Sequence, residues 1–392
     1  MSKIAIIGAG PAGIYTTLFL RDFFGQIDLY EKNSTIGKKL SLTGGGRMNL
    51  SNRNFSVQNF YSQEKNILKN IFKKPYAQNI LELFEELGTK YKWEADRAIL
   101  ASESAKKEIE RLQKMLASQR NTKIHLGQTV SQIKTHNGKF LIGKEIYDYV
   151  VLSSGGQVCV GEDSADIYAL ARQLGHTLTE ITPALCPLLC PKNIFVGLAG
   201  TALECRLMDP QRKQSTQGDL IFTHVGISGP AVLDFSLGYD TGAILLNFLP
   251  NLTEDDLKQK LAESRRGKIF LRSFLAHFLP KKIVLWQMQF AQIDADKLVT
   301  DLKKTELQNL LKNLYGFRLD GLRKPDFGSS WTSRGGVKLS EISYATLESK
   351  LHPNLFFAGE ILDITGLCGG YNISFAMLSA KIISETILRK TS

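Results

Sequence analysis

Residues 3–13, KIAIIGAGPAG, decide the fold. A short apolar run with β-branched residues ends in glycine, which predicts a buried parallel strand, and residues 11–24 then predict a helix. QIDLYEK (26–32) predicts a second strand, so the chain begins as a βαβ unit. The glycines fit the pattern G-x-G-x-x-G, and Glu31 follows Gly13 by 18 residues at the end of the second strand. This context predicts dinucleotide binding.

Each residue of this motif has a physical role. Gly8 makes the tight turn, Gly10 lets the backbone approach a pyrophosphate, and Gly13 lets helix and strand pack closely. The helix N-terminus offers oriented N–H groups to the phosphates. Glu31 would hydrogen bond ribose hydroxyls and disfavour a 2′-phosphate. A glycine-rich turn of a plain α/β protein is the alternative, and it does not explain Glu31.

Length and composition limit the class of protein. The 392 residues, 43% apolar and 22% charged, suffice for two or three domains with sizeable cores. No apolar run approaches the ~18 residues of a membrane helix. MSKIAIIGAG (1–10) predicts a strand rather than a secretory signal, so we expect a cytoplasmic protein. The net charge of +11 permits an anionic partner such as RNA, or an anionic cofactor, without requiring either.

The cysteines predict neither a disulfide framework nor a metal site. They stand at positions 159, 186, 190, 205 and 368, without a CxxC pair. An odd count outside a small secreted domain indicates reduced thiols. Cys186 and Cys190 are four residues apart, but no histidine or third cysteine follows at metal-ligand spacing. We expect no metal there.

The rest of the chain changes texture three times. Residues 60–120 are predicted to be mainly helical, and residues 123–154 return to strands. From about 185 to 250, short strand-like pieces alternate with turns, which predicts a small antiparallel or barrel-like domain. Residues 253–316 predict lysine-rich amphipathic helices, starting at Thr253 as an N-cap. A strand at 354–360 and a helix over the last 20 residues complete the chain.

A glycine-rich loop, GKKLSLTGGGRMNLSN (37–52), follows the βαβ unit. Gly44, Gly45 and Gly46 permit positive φ and close backbone approach. The loop also supplies cations that can meet phosphate charge and amides that can meet ribityl or ring edges. It therefore suits a long anionic ligand. The alternative is a flexible surface loop with solvated charges.

Two further glycine turns follow predicted strands. SSGG (153–156) ends one strand, and LFFAGEILDITGLCGGYN (355–372) runs from another strand into the last helix. An acidic residue after a strand suits the hydroxyls of a ribityl chain. A helix N-terminus directed at the N1–C2=O edge of a flavin would stabilise the anion formed on reduction. Cofactor motifs at both ends of the chain predict one discontinuous domain with the remainder inserted.

These blocks together resemble the BaiN-like (YhiN-like) bacterial family of FAD-dependent oxidoreductases. The matching pieces include GAGPAG, GKKLSLTGGGRMNLSN, SSGG, GDLIFTHVGISGPAVLDFS, RGGV (334–337) and FFAGEILDITGLCGGYN. The resemblance implies an α/β fold: a discontinuous Rossmann-like FAD-binding domain with an inserted small β-barrel-like domain and an inserted helical domain. The expected boundaries are 1–185 with 335–392, 186–250 with 320–334, and 251–319.

The resemblance and the motifs also imply the residues that contact FAD. The predicted cofactor-binding set is Gly8, Gly10, Pro11, Ala12, Gly13, Glu31, Lys32, Lys38, Lys39, Thr43, Gly44, Gly45, Arg47, Asn49, Val130, Ser154, Gly155, Gly156, Gly359, Glu360, Asp363, Gly370, Tyr371, Asn372 and Ile373. The chain departs from the family pattern twice. Many relatives have R-C-N where Met48 stands here, and ATGG where this chain has SSGG.

Four residues are candidates for catalysis. His224 and Ser228, in THVGISGP (223–230), could face the flavin as proton donor or substrate contact, since a hydride leaving N5 needs a matching proton. The alternative is a buried loop histidine in a motif that shapes a turn and a helix start. Cys368 beside the GGYN turn, and Tyr371 within it, complete the set, with a small loop residue as the alternative for the cysteine.

The sequence thus predicts an FAD-dependent oxidoreductase. FAD is expected to be resident, with NAD(P)H as a transient electron donor, because no second G-x-G-x-x-G is present. The resemblance implies reduction of an activated C=C bond, such as uridine in ribosomal RNA to dihydrouridine, or small-molecule chemistry (an enone reductase or an aminoacetone-type amine oxidase). Residues 253–324 carry 15 Lys and Arg against 9 Asp and Glu, which favours RNA. A non-catalytic redox sensor or RNA-binding module is the alternative of another class.

Overall fold

The chain folds into two compact units. The computed structural model describes residues 1–101, 104–158, 167–190 and 194–392, so Cys159 lies outside the described residues. One unit comprises Met1–Pro183 with Thr332–Ser392, and the other comprises Ala184–Trp331. Each unit has its own apolar core. We call them the discontinuous unit and the inserted unit.

Most strands are short. In chain order, those of the described residues are β1 (Ser2–Ile7), β2 (Gly25–Glu31), β3 (Asn49–Asn52), β4 (Phe60–Tyr61), β5 (Tyr91–Glu94), β6 (Arg97–Leu100), β7 (Thr122–Leu126), β8 (Lys134–His136), β9 (Lys139–Ile142), β10 (Glu145–Tyr147), β11 (Tyr149–Leu152), β12 (Thr182–Ala184), β13 (Leu188–Leu189), β14 (Ala202–Asp209), β15 (Gln214–Phe222), β16 (Gly226–Ser228), β17 (Ile244–Asn247), β18 (Phe317–Leu319), β19 (Thr332–Arg334), β20 (Leu355–Phe357) and β21 (Thr365–Gly366).

The α-helices range from four to 21 residues. In chain order they are α1 (Pro11–Phe19), α2 (Lys65–Ile71), α3 (Pro75–Gln78), α4 (Ile80–Glu86), α5 (Ala105–Ser118), α6 (Ala169–Gln173), α7 (Pro230–Gly238), α8 (Glu254–Ser264), α9 (Leu271–Leu275), α10 (Lys281–Phe290), α11 (Lys304–Gly316) and α12 (Tyr371–Thr391). None of the described helices is long and apolar enough to span a membrane.

A five-stranded parallel sheet organises the discontinuous unit, in the order β20-β11-β1-β2-β7. The strands are nearly continuous apolar runs, as expected for a sheet covered on both faces. Because the strands are parallel, the turns after β1, β2, β11 and β20 all lie at one edge. The predicted α/β Rossmann-like fold, with N- and C-terminal parts in one sheet, is confirmed.

The first helix is shorter than the sequence predicts. It ends at Phe19 instead of residue 24. Gly25 pairs with Ser2 at the start of β2, and a side chain at Gly25 would lie 2.1 Å from the Ser2 carbonyl oxygen. The strand must therefore begin at this position. The residues after Phe19 are needed to turn the chain back, and they cannot continue the helix.

A β-hairpin within residues 60–120 was not predicted. β5 and β6 pair with each other and β6 pairs with β3, giving a three-stranded sheet. Tyr91 and Trp93 alternate with Lys92 and Glu94, which is a strand pattern too short to stand out between helices. The predicted helix stop at Gly88 is correct: its φ is +72°.

The inserted unit is built on a six-stranded antiparallel sheet, in the order β13-β16-β15-β14-β17-β18. An isolated bridge joins Leu189, on the outer strand β13, to Arg323 just after β18, which curls the sheet. Helices α8 to α11 share one apolar core with this sheet. The separate helical domain at 251–319 stays a prediction. The predicted Thr253 cap is present, since its side chain accepts a hydrogen bond from the Asp256 backbone N–H at 3.1 Å.

Candidate cofactor and active site

The first glycine turn has one closed side and one open side. Gly8 has φ of +104°, and its N–H donates to the Tyr30 carbonyl at 2.8 Å. A Cβ on Gly13 would lie 1.9 Å from the Gly8 carbonyl oxygen, whereas a Cβ on Gly10 would have no atom within 4 Å. Gly13 is therefore required by packing. Gly10 leaves room for a ligand in front of the N-terminus of α1, which begins at Pro11.

Glu31 closes the turn from the neighbouring strand. Its carboxylate accepts hydrogen bonds from the Ala9 N–H at 2.8 Å and from the Asn33 backbone N–H at 2.9 Å. The side chain is 8% exposed. A carboxylate has about four lone-pair positions, so Glu31 keeps capacity for a ribose hydroxyl. Lys32, the next residue, is exposed.

The loop over residues 37–49 is held in unusual backbone geometry. Gly44, Gly45 and Gly46 all have positive φ, and Thr43 donates its hydroxyl hydrogen bond to the Leu40 carbonyl at 2.8 Å. A side chain at Gly44 would approach the Asn49 side-chain oxygen to 2.9 Å. Glycine at this position therefore brings the loop against β3.

The predicted phosphate-binding cations of this loop have partners within the protein. Lys39 pairs with Glu360 at 2.6 Å, and Lys38 lies 3.4 Å from the Asn33 side-chain oxygen. Arg47 pairs with Glu94 at 2.8 Å, with its side chain 59% exposed. Exposed pairs of this kind contribute little, so Arg47 can exchange its partner for a ligand at small cost. The phosphate role of these cations stays a prediction.

Met48 has an apolar environment. It is fully buried, with φ of +56°, a conformation that costs non-glycine residues energy. Its N–H donates to the Thr43 carbonyl and its carbonyl accepts from Leu100. The thiol found here in many family members is thus replaced by a core side chain.

The SSGG turn contacts the first glycine turn directly. Ser153 Oγ lies 2.9 Å from the Gly8 carbonyl oxygen, and the Ser153 N–H donates to the Ile7 carbonyl. Gly155 has φ of +83° and an open side, while a Cβ on Gly156 would lie 2.5 Å from Ser333 Oγ. Ser154 donates to the Ile167 carbonyl at 3.2 Å. Val130, after β7, is partly buried against the same core.

The turn after β20 completes this edge of the sheet. A Cβ on Gly359 would lie 2.9 Å from the Ala12 side chain, so the last strand and α1 meet here. Glu360 accepts hydrogen bonds from Lys39 and from the Thr332 hydroxyl at 3.0 Å. Four strand ends predicted separately from sequence are therefore neighbours.

Asp363 is a buried acid with an unsatisfied oxygen. Its Oδ2 accepts from the Gln63 N–H at 2.9 Å, and its Oδ1 has no hydrogen-bond partner among the described residues. Burial raises the pKa of this carboxyl from 3.8 to about 6. A buried polar atom without a partner requires an explanation, and a ligand hydroxyl would satisfy it.

The GGYN turn opens the longest helix. Gly370 has φ of +102°, and a side chain there would lie 2.6 Å from the Ser51 N atom, so the turn packs on β3. Tyr371 is buried, and its hydroxyl accepts from the Asn59 amide at 3.1 Å. Asn372 uses both ends of its amide on the Gly366 backbone, at 2.7 and 3.0 Å. Ile373 is buried in the core.

The four catalytic candidates divide between the two units. Cys368, which is partly buried, and Tyr371 belong to the discontinuous unit. His224 lies exposed in the loop between β15 and β16, so the alternative of a buried histidine is wrong. Ser228 is the last residue of β16 and pairs with Ile221. Among the described residues, no group of three His, Cys, Asp or Glu could hold a metal ion.

The residues present fit FAD on three observations of this structure. The open side of Gly10 and the N-terminus of α1 provide room and N–H groups for a pyrophosphate. Glu31 is positioned at the end of β2 as a ribose acceptor. Asp363 Oδ1 is a buried acceptor that lacks a donor. Which of the predicted side chains contact the cofactor stays a prediction.

Comparison with known proteins agrees with the geometry. The model of the family described as HI0933-like protein Rossmann domain matches residues 2–386. A 3-dehydro-bile acid delta(4,6)-reductase from Clostridium scindens is 29% identical, with 96% of each chain covered. Ribosomal RNA dihydrouridine synthases are 28% identical in Haemophilus influenzae, covering 99% of each chain, and 26% identical in Escherichia coli, covering 99% of this chain and 98% of that one.

The family expected from the motifs is confirmed, and with it the expected enzyme class and cofactor, an oxidoreductase that uses FAD. The chain belongs to the HI0933-like family of Rossmann-domain proteins.

Proposed function

We propose that this enzyme reduces a carbon–carbon double bond conjugated to a carbonyl group, and that uridine in ribosomal RNA is its substrate in the cytoplasm. The names of the relatives support the reaction class. A dihydrouridine synthase saturates the C5=C6 bond of uracil, which is conjugated to the C4 carbonyl. A delta(4,6)-reductase of a 3-dehydro-bile acid acts on double bonds conjugated to a ketone. The two substrates share an α,β-unsaturated carbonyl.

FAD, when bound, supplies hydride transfer, with NAD(P)H as the proposed source of electrons. The chain supplies position and charge. The N-terminus of α12, at Gly370 and Tyr371, presents N–H groups and the positive end of a helix dipole. Both favour negative charge beside this turn. His224, Ser228, Tyr371 and Cys368 remain the proposed proton donors or substrate contacts.

The observation that carries the RNA proposal is a set of exposed cations in the inserted unit. Several basic residues of 253–324 have acidic partners, for example Arg318 with Asp320 at 2.8 Å and Lys297 with Glu306 at 3.1 Å. Others are exposed and have no ion-pair partner among the described residues: Lys260, Arg265, Arg266, Lys268, Lys281, Lys282, Lys304 and Lys312. Unpaired cations are what phosphate contacts require, because their neutralisation releases counterions from RNA.

Anaerobic single turnover tests the proposed reaction. The bound flavin is reduced and then mixed separately with a ribosomal RNA fragment, a cyclic enone and oxygen, and reoxidation is followed by absorbance. We expect fast reoxidation by RNA, with dihydrouridine formed. Fast reoxidation by the enone alone would support a small-molecule reductase, the second candidate, which the 29% identity to the bile acid reductase favours. Reoxidation only by oxygen would contradict both.

A charge-neutralised variant tests the RNA surface. The triple change Arg265→Gln, Arg266→Gln and Lys268→Gln removes three unpaired cations, and we expect weaker RNA binding with a salt dependence reduced by about 0.7 per lost phosphate contact. Enone turnover and FAD content should not change.

The matched control removes three cations that have acidic partners. Lys258, Arg272 and Arg318, each changed to Gln, lie in the same part of the chain. Their loss should affect RNA binding less. Equal effects of the two triple variants would mean that overall charge, rather than this set of unpaired residues, determines RNA binding.

A further inference from the structure

Arg97 is the unexplained cation of the discontinuous unit. It is the first residue of β6, in the hairpin that the sequence did not predict, and it is partly buried. A methyl group in place of a Gly369 hydrogen would lie 3.6 Å from Arg97 Nε and 3.4 Å from Asn52 Nδ2. Both donors therefore flank the turn that opens α12. Within the described ranges, the Arg97 guanidinium has no hydrogen bond or ion pair.

Neighbouring arginines on the same sheet differ from Arg97. Arg47 pairs with Glu94 at 2.8 Å. Arg53 stacks on the Trp93 ring at 4.1 Å and lies 3.9 Å from Asp96. A partly buried guanidinium without a partner has lost hydration that nothing in the protein replaces. The position of Arg97 is therefore better explained by a ligand group than by the fold.

The turn beside Arg97 is fixed relative to the sheet. Gly369 and Gly370 have φ of +115° and +102°. A side chain at Gly370 would lie within 2.8 Å of three Ser51 backbone atoms, so the turn and β3 are in direct contact. Arg97 Nε and Asn52 Nδ2 are thus held at the N-terminus of α12, where the helix dipole adds positive potential.

We propose that Arg97, assisted by Asn52, binds the carbonyl oxygen of the substrate and stabilises the negative charge that forms there. The assignment rests on the proposed reduction of a conjugated carbonyl. In that reaction a hydride equivalent, drawn from a nicotinamide nucleotide, adds to the β-carbon. The C=C electron pair shifts to form an enolate, and the α-carbon then takes a proton. The enolate oxygen carries the transient charge, and a fixed guanidinium stabilises it more than the neutral carbonyl.

The test measures the two half-reactions of the FAD-loaded enzyme. In Arg97→Met, which keeps the aliphatic stem, we expect reoxidation of reduced flavin by an enone or RNA to slow by about 100-fold or more, as when one oxyanion donor is removed. FAD content, reduction by NAD(P)H and reoxidation by oxygen should stay within about 3-fold. Millimolar guanidinium ion should restore part of the lost rate, which a purely structural role would not allow.

Arg53→Met is the matched control, because it removes a charge from the same sheet at a residue that stacks on Trp93. We expect a near wild-type rate. Arg97→Lys decides the question if Arg97→Met does not fold: a loss confined to carbonyl substrates supports the assignment, and an unchanged rate overturns it. Wild-type rates in Arg97→Met would also overturn it. A wild-type enzyme that reduces no conjugated carbonyl would instead overturn the proposed function.

Discussion

Two glycine motifs of this molecule look alike in sequence and differ in the structure. GAGPAG (8–13) and GISGP (226–230) each follow a strand and lead into a helix with proline as its first residue. A side chain at Gly10 would meet nothing within 4 Å. A side chain at Gly229 would lie 2.6 Å from the Asp219 carbonyl oxygen, and one at Gly226 would lie 2.1 Å from that of Leu188. The first motif leaves room for a ligand, whereas the second is closed by the protein's own backbone.

The difference teaches that a glycine turn indicates close approach without indicating to what. Gly229 has φ of +97° and caps α7, so its glycine is explained by the fold. Gly10 has φ of −75°, which any residue adopts, and no neighbour forbids a side chain. Only an external partner explains glycine at that position. Substitutions at these glycines therefore separate folding from cofactor binding.

The largest effect is expected at the closed side of the first motif. Gly13→Ala places a methyl group 1.9 Å from a backbone oxygen, which helix and strand cannot accommodate without moving apart. We expect the apo-protein to lose at least about 3 kcal/mol of unfolding free energy, measured by denaturant titration. Gly316→Ala, at the end of α11 with open space around it, is the control and should be nearly neutral. An apo-protein as stable as wild type would contradict this packing.

The buried acid after β20 gives the next largest effect. The pKa of Asp363 is raised to about 6, so its contribution to stability is present below pH 3.8 and is lost as the pH rises through about 6. Asp363→Asn should therefore stabilise the apo-protein at pH 7.5 by up to about 3 kcal/mol and have little effect near pH 4. Unfolding titrations across this range measure it, with the exposed Asp96→Asn as control. A pH-independent difference would contradict the raised pKa.

A smaller loss of stability is expected in the second motif. Gly229→Ala combines positive-φ strain with a close backbone contact, and we expect about 2 kcal/mol. At temperatures where the variant remains folded, its FAD affinity should equal that of wild type. Loss of FAD from a folded Gly229→Ala variant, seen in the flavin absorbance spectrum, would show that this motif also contributes to the cofactor site.

The smallest free-energy change is the most specific. Gly10→Ala should leave the melting temperature of the apo-protein unchanged, because nothing surrounds the added methyl group. FAD affinity should fall by about 10-fold or more, which corresponds to about 1.4 kcal/mol. Fluorescence titration of the apo-protein with FAD measures the change. Wild-type affinity would show that the pyrophosphate does not approach Gly10.

Local patterns predicted the parts of the molecule that depend on neighbours in sequence. The βαβ start, the Thr253 cap, the Gly88 stop and the strand before Gly359 were all correct. The hairpin that carries Arg97 was missed because two four-residue strands give little periodicity. The partner of Lys39 could not be predicted either, since Glu360 is 321 positions away.

The sequence by itself determined the family, the parallel sheet and the four glycine turns, because hydrophobic periodicity, glycine spacing and helix-start signals are local. The tertiary structure alone decided which glycines have an open side, which cations have partners and which acid lacks one. Those properties depend on atoms that the fold brings together from distant segments, such as Asn52, Arg97 and Gly369 around one turn. Burial and distance, which set the energies of these groups, exist only once the chain is folded.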